Sequence, residues 1–94
     1  GWRARLAGSG GRLLDVACGR GAVLALAREA GFDAVGVDLA DVDDPAITGG
    51  VDACALPFAS MSFSHVVSQF GVEYAGLDAA VMEAARVCRD ELIL

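Results

Sequence analysis

Apolar residues fall into short runs along the chain, divided by glycines and acidic residues. Leu13-Leu14-Asp15-Val16-Ala17 is the first run and predicts a strand. Cys18-Gly19-Arg20-Gly21 predicts a turn, because its glycines permit backbone angles that other residues avoid. Ala22 to Ala30, rich in Ala and Leu, predicts a helix stopped by Gly31. A second buried strand is predicted at Ala34-Val35-Gly36-Val37-Asp38, ending on a carboxylate. Ala40 to Gly50 is acidic and predicts a loop, barely long enough for a parallel crossover. Val51-Asp52-Ala53-Cys54 predicts a short strand, Leu56-Pro57-Phe58 a turn, and Phe63 to Phe70 a strand with a β-branched centre at Val66-Val67. Leu77 to Arg89 has the clearest helical period: Leu77, Val81, Ala84, Ala85 and Cys88 form an apolar stripe. Glu83, Arg86 and Asp90 fall on the other face and predict a solvated charge row. Glu91 to Leu94 begins a last strand.

That order of elements predicts an α/β fold, a Rossmann-like and mostly parallel sheet with flanking helices, as one domain over residues 1–94. In such sheets ligands bind beyond the carboxyl ends of the strands. Here the glycines and polar residues gather at those ends: Cys18 to Gly21, Asp38, Asp52 and Ser68-Gln69. A glycine turn lets a ligand approach the backbone, and the following helix N-terminus offers free N–H groups. A carboxylate closing the next strand suits both hydroxyls of a ribose. Asp52 is placed to reach an adenine amino group. Asp15, inside an apolar strand, must find polar partners.

Composition narrows the partners. The chain carries 13 acidic against 7 basic residues, a net charge of −6, which argues against nucleic acid and against anionic lipid. Three scattered cysteines, no C-x-x-C pair and His65 as the single histidine argue against a zinc site or a disulfide framework; reduced thiols in a cytoplasmic setting are expected. No apolar run is long enough to span a bilayer. The start at Gly1 and the apolar end at Leu94 suggest a piece of a longer protein.

The segments L-L-D-V-A-C-G-R-G, V-G-V-D-L-A, V-D-A-C-A-L-P-F and S-F-S-H-V-V-S-Q-F-G-V-E-Y, followed by A-A-R-V-C-R, resemble successive motifs of class I S-adenosylmethionine-dependent methyltransferases. The flavour is that of the small-molecule group containing ubiquinone and menaquinone biosynthesis enzymes. The resemblance runs from about Arg12 to Leu94. It implies S-adenosylmethionine as cofactor and a small-molecule methyl acceptor. By position it implies that Asp15 orients the methionine amino group, and that Ala17, Cys18, Gly19 and Gly21 form the loop past the methionine and ribose. Asp38 would bind the ribose, Leu39 the adenine face, and Asp52 the adenine amino group, with Ala53 offering a backbone N–H. Ser68, Gln69 and Phe70 would face the methionine, and Glu73 and Tyr74 the acceptor entrance. Ser64 stands where the family usually has Asp, and only residues 39–51 separate Asp38 from Asp52, too few for the family's helix.

Two other readings stay open. Asp38 lies 17 positions after Gly21, close to the spacing of nicotinamide-dependent oxidoreductases, but the third glycine of that fingerprint is missing. A non-catalytic binding fragment is the other. No general base or metal site stands out: His65 is expected to be a satisfied strand residue, and Asp41, Asp43 and Asp44 a solvated acidic loop. The last strand is expected at a sheet edge, and the short crossover is expected to leave one sheet face thinly covered. Together these predict self-association and little methyl transfer by the chain alone.

Overall fold

The computed structural model describes residues 11–16, 22–40, 45, 47–68 and 76–94. Five strands form one parallel sheet: β1 (Gly11–Val16), β2 (Phe32–Val37), β3 (Ile47–Thr48), β4 (Phe63–Ser68) and β5 (Cys88–Ile93), in the order β3-β2-β1-β4-β5. Helix α1 (Ala22–Glu29) links β1 to β2, and α2 (Leu77–Val87) leads into β5. The α/β expectation therefore holds, and among the described residues β5 lies at an end of the strand order, as expected.

Strand alternation sorts the central residues onto two faces. Leu14, Val16, Val37 and Val66 point one way and pack with Ala80, Ala84 and Val87 of α2 and with Ala53 and Leu56. Leu13, Ala34 and Val67 point the other way and pack with Leu24 and Ala27 of α1. Both faces being covered is what a parallel sheet requires, and it explains why the central strands are apolar on both faces. Among the described residues the large exposed apolar side chains are Leu39, Met61, Met82 and Leu94, and none is an inward strand residue. Val51, Ala53, Leu56 and Phe58 fill the space beside α2; residues 41–44 and 46 of the short crossover, on which the expected thin cover rests, lie outside the described residues.

Several local expectations need correction. Val51–Cys54 is not a strand; the third strand is the pair Ile47–Thr48, inside the segment expected to be loop. The helix ends at Val87 rather than Arg89, and its buried stripe is Ala80, Ala84 and Val87, with Ala85 exposed. Cys88 takes up extended backbone at once and β5 starts there, so Asp90 is a strand residue. Glu83 and Arg86 are not a solvated row; they are half-buried and bind the segment between β3 and β4.

The N-terminal end of β1 is also tightly fitted. Gly11 has φ of +106°, and a Cβ there would meet Ser64 Oγ at 2.7 Å. Ser64, buried, donates to the carbonyl of Arg12 at 2.8 Å. Where the family resemblance implied an acid, this serine holds β4 against β1. No helix among the described residues is long and apolar enough to cross a membrane.

Candidate functional site

Parallel register brings the candidate acids together. Asp15 pairs with Gly36 on one side and Val67 on the other, so it lies between two small or apolar neighbours near the carboxyl ends of β1 and β2. Alternation puts Asp15 on the face of Leu13, and Gly36, lacking a side chain, leaves room beside it. Asp15 is 5% exposed. Burial pushes its carboxyl up to about 7, and the neighbouring charge of Asp38 adds to the rise.

Asp38 follows the last residue of β2. Its backbone N–H donates to the Thr48 carbonyl at 3.0 Å, and its carbonyl accepts from the Val51 N–H at 3.0 Å. The Asp38 side chain accepts from the Ala40 N–H at 3.0 Å, a turn the short Asp side chain forms readily. These bonds fix the carboxylate where the chain leaves the sheet. Leu39 is joined to Gly50, whose N–H donates to its carbonyl at 3.2 Å, and its side chain is 67% exposed.

The Val51 and Gly50 bonds carry Asp52 and Ala53 to the same corner. Asp52 is exposed, and its Oδ1 accepts from the Cys54 N–H at 2.9 Å. The Asp52 carbonyl accepts from the Ala55 N–H at 3.0 Å, closing the turn. Ala53 is buried in the core below. Asp52 is thus held by a turn, not by a strand end. Ser68, at the end of β4, is buried and donates to the Val16 carbonyl at 3.0 Å, which ties the ends of β1 and β4 together.

Of the residues singled out in the sequence, Asp15, Asp38, Leu39, Asp52 and Ala53 gather around the ends of β1 and β2. Ala17, Cys18, Gly19, Gly21 and Gln69 lie outside the described residues, as do Phe70, Glu73, Tyr74 and the acids at 41, 43 and 44. His65 belongs elsewhere: its ring meets Phe32, the first residue of β2, edge-on at 4.9 Å, and its Nδ1 lies 3.0 Å from Ser64 Oγ. Cys54 and Cys88 are free, and burial pushes both thiols up, so they remain protonated packing groups. Among the described residues no cluster of His, Cys, Asp and Glu is arranged to hold a metal ion.

One feature escaped the sequence. Arg86 donates through Nη1 to the Phe58 carbonyl at 2.8 Å and through Nη2 to the Leu56 carbonyl at 3.0 Å. It also donates through Nε to Glu83 Oε2 at 2.7 Å, while Glu83 Oε1 accepts the Leu56 N–H at 2.9 Å. The Arg86 guanidinium, with the Leu56 N–H, holds the Glu83 carboxyl below the usual carboxylate range. Only the spacing of Glu83 and Arg86, one helical turn apart, hinted that they act together.

The whole arrangement is a corner with a buried, poorly solvated carboxyl, a second acid at the next strand end, an exposed leucine and a third acid on a turn. A profile of the family described as Methyltransferase domain matches residues 2–90. The chain belongs to that family.

Solved structures give the same fold. The PH0226 protein of Pyrococcus horikoshii OT3 is 26% identical, with a TM-score of 0.75 over 86% of this chain and 45% of its own. An S-adenosylmethionine-dependent methyltransferase of Mesorhizobium loti is 24% identical, with a TM-score of 0.69 over 93% of this chain and 46% of its own. The 1,6-didemethyltoxoflavin-N1-methyltransferase of Burkholderia thailandensis, solved with 1,6-didemethyltoxoflavin and S-adenosylhomocysteine, is 16% identical, with a TM-score of 0.74 over 94% of this chain and 46% of its own. This methyltransferase-domain chain thus spans less than half the length of each. No curated protein shows significant sequence similarity to it. The family match does not favour the nicotinamide oxidoreductase reading.

Proposed function

We propose that this chain is the cofactor-binding portion of an S-adenosylmethionine-dependent methyltransferase that acts on a small molecule. The observation that carries the reading is the pair Asp15 and Asp38 at adjoining strand ends, with the Asp15 carboxyl buried and pushed up to about 7. A buried carboxyl in that condition is poised to accept a cation, because a positive neighbour restores its charged form. The amino group of the cofactor is such a cation, and its ribose diol suits the Asp38 carboxylate.

Each residue then has a task. Asp15 accepts from the amino group and orients the methionine end. Asp38, fixed by its bond from the Ala40 N–H, accepts from the ribose. Leu39 gives an apolar surface to the adenine, and Asp52 accepts from the adenine amino group. By their place in the motifs, Ala17, Cys18, Gly19, Gly21 and Gln69 are assigned to cofactor binding, and the Ala53 backbone N–H to the adenine ring. When bound, the sulfonium supplies an electrophilic methyl group, as cofactors generally supply the chemistry. The protein supplies position, holding the methyl in line with an acceptor. A net charge of −6 suits a small-molecule acceptor better than nucleic acid, and the free thiols of Cys54 and Cys88 suit a cytoplasmic setting.

Amide chemical-shift mapping with S-adenosylhomocysteine tests the reading. Perturbations at Val16, Val37 to Ala40 and Asp52 to Cys54, with Phe63 to His65 unmoved, are expected. Perturbations centred on Phe63 to His65 would refute it.

A further inference from the structure

We propose that Glu83 and Arg86 are positioning residues for the base-recognition turn at Asp52 and Ala53, and so determine which nucleoside base the site selects. The inference rests on the cofactor reading above and adds to it a device outside the ligand corner.

The segment from Val51 to Ser62, which carries Asp52, has no regular structure of its own. Loops without ladder bonds depend on side chains to satisfy their backbone groups. Arg86 satisfies two carbonyls of this segment, Leu56 and Phe58, and also reaches Ser60 Oγ at 3.4 Å. Glu83 takes the Leu56 N–H. The Arg86 carbonyl accepts the Met61 N–H at 2.9 Å. Helix α2 therefore holds the segment from Leu56 to Met61 along its last turns. At its other end α2 holds Cys54, whose thiol donates to the Gly76 carbonyl at 3.5 Å. Gly76 has φ of +79°, and a Cβ there would meet Cys54 Sγ at 3.0 Å, so the fit is close.

The Asp52 turn sits just before these two fastenings. Its carboxylate already accepts the Cys54 N–H, so the orientation of Asp52 follows the placement of Cys54. Releasing Leu56 and Phe58 from α2 frees the chain a few residues from Asp52. A planar guanidinium suits two carbonyls and a carboxylate at once, which a lysine ammonium does not. An acid aimed at position 6 of the base favours an amino group there over a carbonyl, because the carbonyl oxygen offers no proton and repels the charge.

The test uses the full chain, wild type and the Arg86→Met, Arg86→Lys and Glu83→Gln variants. Hydrogen exchange without ligand is read at the Leu56 and Cys54 amides. Titration with S-adenosylhomocysteine and S-inosylhomocysteine reads base selection. Arg86→Met is expected to speed Leu56 exchange by about tenfold or more relative to the β1 amides, as a local opening does. The wild type is expected to prefer the adenosyl compound by roughly tenfold or more, and Arg86→Met to reduce that preference to about threefold or less. Arg86→Lys should restore little of it, and Glu83→Gln, the gentler change, should fall between. A merely structural role would weaken both ligands equally and leave the preference intact, which overturns the proposal. Unchanged Leu56 exchange overturns it as well. A wild-type chain that binds neither compound, with the exchange difference present, would instead overturn the cofactor reading and the base selection built on it.

Discussion

Replacing Asp15 with asparagine separates what this carboxyl costs the fold from what it gives the site. Its pKa in the folded chain is about 7, against 3.8 for an ordinary Asp. At about 1.36 kcal/mol per pKa unit, keeping it ionised in the fold costs about 4 kcal/mol. The carboxyl is only 5% exposed, so solvent screening removes little of that figure. The sign follows from linkage: with the folded pKa raised, the native state holds its proton more tightly than the unfolded chain. The contribution of Asp15 to stability is full below pH 3.8 and is lost as the pH rises through about 7. The Asp15→Asn change keeps the size and removes the titration, though the new amide still needs partners, worth about 1 kcal/mol. The ligand-free variant is therefore expected to be more stable than wild type at pH 8 by about 3 kcal/mol, or more than ~10 °C in melting temperature for a domain this small. Melting curves by circular dichroism from pH 5 to pH 8 are the assay: the wild type should lose stability across the range beyond what the Asp15→Asn variant loses. The same variant should bind S-adenosylhomocysteine roughly tenfold or more weakly, because a charge-assisted bond becomes a neutral one. A variant that melts below wild type at pH 8, with the same pH slope, would show that Asp15 is ionised and well paired, and the reasoning would fail.

Asp38→Ala is expected to weaken S-adenosylhomocysteine binding by about 1.5–3 kcal/mol, while Asp33→Ala, at an exposed acid 3.9 Å from Arg12, changes it little; calorimetry on both variants checks this. Gly11→Ala should lower the melting temperature more than Gly31→Ala, since both have positive φ but only Gly11 would meet Ser64 Oγ at 2.7 Å; equal shifts would discount the close approach. The β5 edge pairs with β4 alone among the described residues, so the 94-residue chain is expected to sediment with a concentration-dependent mass, and a monomer at all concentrations would count against edge pairing.

The parts of the fold that were legible in the sequence are those whose pattern is set by burial alone. Leu13, Leu14 and Val16, Ala34, Val35 and Val37, and Phe63, Val66 and Val67 are apolar because the sheet is covered on both faces, and such clusters are visible without tertiary knowledge. Ile47 and Thr48 were not visible: two residues among acids and glycines give no period, and only pairing with Gly36 and Val37 makes them a strand. Val51-Asp52-Ala53-Cys54 showed the opposite error, an apolar alternation that reads as a strand while Asp52 closes a turn on Cys54 and Ala55. In the site, Asp15 stood out because a carboxylate in an apolar strand demands an explanation. Arg86 did not, because its partners are backbone carbonyls about thirty residues away, and a helical wheel shows only that it lies off the apolar stripe. Those carbonyls carry no sequence signature.

Titration calorimetry of the wild-type chain with S-adenosylhomocysteine and, separately, with NAD tests the central claim most directly. The corner formed by Asp15, Asp38, Leu39 and Asp52 predicts saturable binding of the adenosyl compound and much weaker or no binding of NAD. Saturable binding of NAD with no heat from the adenosyl compound would contradict the account.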